Sequence, residues 1–150
     1  MGSNDVIHGH WGVGFADMTS IEITKVGGGT FDFNYFVLTT NTLNPGGAAN
    51  GAEVVYAQAW LSGSQLGSDV KLPSEDWGLA TTTNVFFDST FDAVDKVVIT
   101  SPMTQFACFG MDAFYIDQAA PVSPVPEPSS LSLLALGLGG LVSLRRMRRS

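Results

Sequence analysis

The chain has 150 residues, with 14 acidic and seven basic side chains and a formal charge of −7. That length can bury one domain's core without help from metal or disulfide, and a single cysteine, Cys108, excludes an internal disulfide. All 14 acids lie at or before Glu127, against three lysines there (Lys25, Lys71, Lys96), so residues 1–128 carry −11; a body this acidic repels phosphate backbones and excludes nucleic acid as an expected partner.

The chain opens MGSNDVIHGHWGVGFADM. It has neither the basic start nor the apolar run of a signal peptide. Val6 stands where a myristoylation signal needs Ser or Thr. His8-Gly9-His10, with Asp5 nearby, reads as a flexible segment, and no metal is assigned to it. From Met18 onward the residues that favour strands take over. Ile21, Ile23 and Val26 line one short strand, broken by Gly27-Gly28-Gly29. In TFDFNYFVLTT, residues 30–40, Phe31, Phe33, Tyr35 and Val37 face one way and Asp32, Asn34, Phe36 and Leu38 the other, a period of two. Residues 41–52 read as a loop from their Pro, Gly and Asn.

EVVYAQAWLSG follows at 53–63, with Val55, Ala57, Ala59 and Leu61 opposite Val54, Tyr56, Gln58 and Trp60. Ser62-Gly63-Ser64 turns a hairpin back into GSQLGSDVKL. Residues 81–89, 95–101 and 109–117 supply the remaining strands. About seven short strands, with no helical period before residue 129, predict an all-β fold. The expected architecture is an antiparallel β-sandwich over residues 1–117, jelly-roll-like, with an immunoglobulin-like order as the competing topology.

Cys108, in Phe106-Ala107-Cys108-Phe109, is expected to be a buried strand residue. Both histidines lie about a hundred residues away in sequence, so no base is expected beside the thiol and no catalytic residue is assigned. Asp88, Asp92 and Asp95, and likewise Asp112 and Asp117, could feed a calcium site, but their spacing fits solvated turns better. Trp60 is expected in the core. Trp77, between Ser74-Glu75-Asp76 and Gly78, reads as an exposed loop residue and is the candidate glycan contact.

The last 33 residues change character. Prolines at 121, 124, 126 and 128 forbid helix and central strand, so residues 118–128 read as an extended Pro-rich linker. Leu131 to Leu144 runs 14 residues without a charge. As a helix that is about 21 Å, short of the roughly 30 Å of bilayer hydrocarbon. Its apolar character on all sides, its glycines and the snorkelling reach of Arg145, Arg146, Arg148 and Arg149 favour one C-terminal transmembrane helix over a core helix.

Val125-Pro126-Glu127-Pro128-Ser129, then the apolar stretch, then Arg145-Arg146-Met147-Arg148-Arg149, together resemble the PEP-CTERM sorting signal of Gram-negative bacteria, over residues 125–150. The resemblance implies export and transient inner-membrane anchoring with the C-terminus cytoplasmic. It also implies recognition by an exosortase and delivery to the cell envelope or extracellular matrix. Pro126, Glu127 and Pro128 would be the recognition element, and Arg145, Arg146, Arg148 and Arg149 the membrane-orienting element. The body, through TKVGGGTFDFNYFVL, AWLSGSQLG, VDKVVITS and FGMDAFYID, is similar to β-sandwich domains found in such exported proteins.

The expected function is therefore a non-catalytic envelope or matrix protein without cofactor, with extracellular polysaccharide as a second partner. The alternatives are a carbohydrate-binding or carbohydrate-active sandwich, and an unprocessed membrane-anchored protein. Export also requires a leader, so the reading expects that Met1 is not the native start and that a signal peptide, with one or two strands, precedes it.

Overall fold

A computed structural model describes residues 6–12, 18–78, 81–104 and 106–119. The expected Pro-rich linker beyond residue 119, the helix over 131–144 and the terminal arginines lie outside the described residues. The described chain is all-β. It forms β1 (Ile7–Trp11), β2 (Ser20–Thr24), β3 (Phe33–Thr42), β4 (Tyr56–Leu61), β5 (Ser64–Lys71), β6 (Thr83–Phe86), β7 (Lys96–Thr100) and β8 (Ala107–Ile116). One 3-10 turn, Ser89–Phe91, precedes β7.

The strands form two four-stranded antiparallel sheets, ordered β1-β8-β3-β6 and β2-β7-β4-β5. Only β4 and β5 are joined as neighbours in one sheet; every other connection passes from one sheet to the other. The hairpin loop is Ser62-Gly63, both at positive φ, which matches the twist of the flanking strands.

The inner faces of both sheets make one core. Trp11, Phe33, Phe36, Leu38, Phe109 and Met111 come from the first sheet, and Ala57, Ala59, Val97 and Ile99 from the second. Phe31, Phe91 and Val94 close one end of it.

Four expectations need correction. The opening segment is not a loop: Ile7–Trp11 pairs with β8 along its whole length. The strict alternation of β3 fails, since Phe33 and Phe36 are both fully buried. Register shifts between Phe33 and Tyr35, Tyr35 and Val37, and Leu38 and Thr40 change the phase, and each bulge turns the following side chains to the other face. Val26 is fully exposed, because β2 ends at Thr24 and a turn through Gly27 and Gly28 follows. Trp60 is not in the core: Val55, Ala57 and Ala59 take the inner face, leaving Trp60 outside. There its Nε1 donates to Gln58 Oε1 at 3.3 Å and the Lys96 ammonium lies 5.2 Å from its ring centre.

Two carboxylates hold the loops. Glu53 is fully buried. Its Oε1 accepts the Leu43 and Asn50 amides at 3.3 and 3.1 Å, and its Oε2 accepts the Gly51 amide and Ser74 Oγ at 2.8 and 2.7 Å. Burial pushes this carboxyl up, but the donors from Ser74 and the loop amides outweigh it and leave it below the usual glutamate range. Asp117, at the end of β8, accepts the Asp32 amide and Lys25 Nζ, each at 2.9 Å. The Asp32 amide first, and Lys25 second, lower its carboxyl.

Candidate functional site

The outward face of β1 and β8 gathers most of the residues with chemistry. On β1, Trp11 points inward to the core, so His8 and His10 share the opposite face. His10 lies directly across from Cys108, and His8 across from Gly110. Position 110 has no room for a side chain, since a Cβ there would sit 2.7 Å from Thr39 Oγ1.

A second segment folds over this face. Between β5 and β6, Glu75 pairs with Asn41 of β3 through two backbone bonds of 2.9 and 3.0 Å. Asn41 Nδ2 donates to Pro73 O at 2.8 Å and the Ala49 amide to Asp76 Oδ1 at 2.8 Å. The Trp77 amide donates to Gly47 O at 3.0 Å. These bonds fix Trp77 edge-on against His8, with ring centres 4.7 Å apart. His10 lies parallel to Trp77 at 6.5 Å and stacks on Phe106 at 4.8 Å. Beside them a cleft of about 190 Å³ is lined by Val6, His8, Thr39, Thr40, Trp77 and Gly78. Trp77 remains 39% exposed, enough to offer part of its ring to a ligand. Thr39 Oγ1 is buried beside Gly110 and finds no hydrogen-bond partner among the described residues.

The ligand atoms of His8, His10 and Cys108 all lie within 4.8 Å of one another. The separation of about a hundred residues, which set the thiol apart from any base, is closed by the pairing of the first strand with the last. Cys108 is fully buried, and burial pushes its thiol up, away from the thiolate that attack requires. Burial, and then the neighbouring His10 charge, hold His8 below the ordinary imidazole range.

Asp88, Asp95 and Asp112 bind backbone amides. Asp88 Oδ1 caps the 3-10 turn through the Thr90 amide at 2.9 Å, and Asp95 Oδ2 accepts the Ser62 amide at 2.7 Å. Asp112 Oδ1 accepts the Ala113 amide at 2.7 Å. Sequence reasoning missed the histidine–cysteine corner. Its one local signal was the alternation of Ile7, Gly9 and Trp11 with His8 and His10.

The sorting residues Pro126, Glu127 and Pro128, and Arg145, Arg146, Arg148 and Arg149, lie outside the described residues. No curated protein matches the chain significantly, and neither does any solved structure. One family model does match: that of the PEP-CTERM protein-sorting motif, over residues 124–149. The Pro-Glu-Pro, the apolar run and the arginine cluster all fall within that match, so this chain carries a PEP-CTERM protein-sorting motif and, with it, the address of an exported protein sorted by an exosortase.

Proposed function

We propose that the protein is a non-catalytic component of the cell envelope or extracellular matrix, delivered there by an exosortase acting at Pro126-Glu127-Pro128. The observation that carries this reading is the sorting motif at residues 124–149. In it, the apolar stretch Leu131–Leu144 holds the chain in the inner membrane with Arg145 to Arg149 on the cytoplasmic side. The prolines keep the recognition element extended in front of a membrane-embedded enzyme. The strand order supports a jelly-roll-like body, with six of seven connections crossing between the sheets. A fully buried Cys108, whose thiol burial pushes up, speaks against thiol catalysis.

The test is fractionation in a host that carries an exosortase. Wild-type chain is expected as a shortened product outside the inner membrane. Glu127→Ala is expected to accumulate at full length in the inner-membrane fraction. Identical processing of both would overturn the assignment of the recognition element.

The second partner in this reading is polysaccharide, at Trp77. Supporting it are the partly exposed indole and the adjacent cleft, an apolar face on which a sugar ring can stack. Glycan binding by the full chain is expected to be lost in Trp77→Ala. Absence of binding to any glycan would leave a scaffold without a sugar ligand.

A further inference from the structure

Three features outside the sorting motif invite a chemical role: the Trp60 face, the Lys25–Asp117 corner and the His8–His10–Cys108 cluster. The first two are accounted for by their own bonds. Trp60 is engaged by Gln58 and Lys96, and Asp117 by Lys25 and the Asp32 amide. The third is different in kind. We propose that His8, His10 and Cys108 form a binding site for a thiophilic transition-metal ion of the zinc(II) class, built where the first strand of the sandwich pairs with the last.

Four observations carry it. The donor set is two imidazoles and one thiol, which suits zinc and its neighbours and disfavours calcium or magnesium. The three ligand atoms fall within 4.8 Å of one another on one sheet face. Their placement is fixed by backbone register, since His10 and Cys108 are cross-strand partners and His8 is two residues along the same strand. The aromatic rings of Trp77 and Phe106 pack on the imidazoles and limit their orientations.

Zinc bonds are about 2.0–2.3 Å long, so tetrahedral ligand atoms sit roughly 3.3–3.8 Å apart. Binding therefore draws the three atoms inward by about 1 Å, a shift that falls mainly to His8, the most exposed of the three. The thiol gives up its proton to solvent as the metal–sulfur bond forms, and the imidazoles bind as neutral bases. Three protein ligands leave a fourth position for water. The sequence distance between His8 and Cys108 gives the site a structural consequence as well. An ion there ties β1 to β8 and stabilises the folded chain by mass action.

The experiment uses the purified full-length chain in detergent, stripped of metal and titrated with cobalt(II), then with zinc(II). The expected result is one cobalt per chain with a thiolate-to-cobalt charge-transfer band in the near ultraviolet and intense visible bands of tetrahedral cobalt. Zinc displaces both and raises the melting temperature. Loss of a partner of a metal ligand costs on the order of 10–100-fold in affinity, so His8→Ala and His10→Ala, which remove ligands themselves, are each expected to weaken binding at least that much. Cys108→Ser is expected to abolish the charge-transfer band. Because that residue is in the packed interior, His8→Ala, at an exposed position, is the variant that keeps its fold. Far-ultraviolet circular dichroism verifies strand content for every sample. Absence of the charge-transfer band from folded wild-type chain would overturn the proposal, and so would a band that survives His8→Ala and His10→Ala unchanged.

Discussion

Trp11→Ala is expected to destabilise the fold by about 3–5 kcal/mol, the range for deleting a large aromatic from a core. Trp11 is fully buried, packs against Phe109 with ring centres 5.9 Å apart, and is the one large side chain that β1 sends into the core. Its loss opens a cavity beneath an edge strand, so β1 is also expected to lose protection. A net stability of about 5–15 kcal/mol is typical of such domains, which makes this substitution a large fraction of the total. Denaturant unfolding measures the total, and hydrogen exchange at residues 7–11 reads the local effect. Trp11→Phe separates size from chemistry. Trp11 Nε1 is buried and finds no acceptor among the described residues, a cost of about 1–3 kcal/mol in the native protein. Phenylalanine removes that cost while giving up volume, so it is expected to fall within about 1.5 kcal/mol of wild type. A loss as large for Trp11→Phe as for Trp11→Ala would show that the indole N–H is satisfied after all.

Glu53→Gln is expected to cost about 1.5–3 kcal/mol, the range for hydrogen bonds to a charged group. The native carboxylate receives four donors from Leu43, Asn50, Gly51 and Ser74. Glutamine keeps one oxygen for them and turns an NH₂ toward the rest. The loss has a pH signature whose sign follows from the direction of the Glu53 shift. Its folded carboxyl lies below the unfolded value. The stability it contributes is therefore complete above the unfolded value, about 4.3 for glutamate, and is lost as the pH falls through the lower folded value. Melting curves are expected to separate wild type from Glu53→Gln most at neutral pH and to bring them together in acid. A constant difference across that range would show that packing, rather than charge, sets the role of Glu53.

The strands with clean alternation were legible in the sequence. Val55, Ala57 and Ala59 face the core as their period predicts, and Ser62-Gly63 turns the hairpin where its residue types require. Legibility failed wherever a non-local event decided the outcome. The bulges in β3 arise from mismatched pairing with β8, seventy residues away, and no local pattern in Phe33 to Phe36 announces them. Trp60 is expected in the core from its place mid-strand, yet the small Ala57 and Ala59 take the inner face, opposite the large aromatics of the facing sheet. β1 was missed because its two histidines and a glycine have weak strand preference. Pairing with β8 supplies what propensity does not. The same pairing makes the His8–His10–Cys108 corner invisible to sequence spacing, since it joins the two ends of the sandwich.

If the proposed sorting anchors the chain through its C-terminal segment, the position of β8 has a mechanical consequence. Any pull on the tail enters the body at Asp117, where Lys25 Nζ and the Asp32 amide grip the carboxylate and Asn34 Nδ2 holds Gln118 O at 2.8 Å. From there the load passes along a ten-residue strand that β3 holds along most of its length and that β1 joins over Ala107–Met111. Under the proposed anchoring, extracting β8 means breaking the β3 ladder first and the β1 ladder from Met111 onward, so the load enters an interior strand of the sheet rather than an edge that could peel.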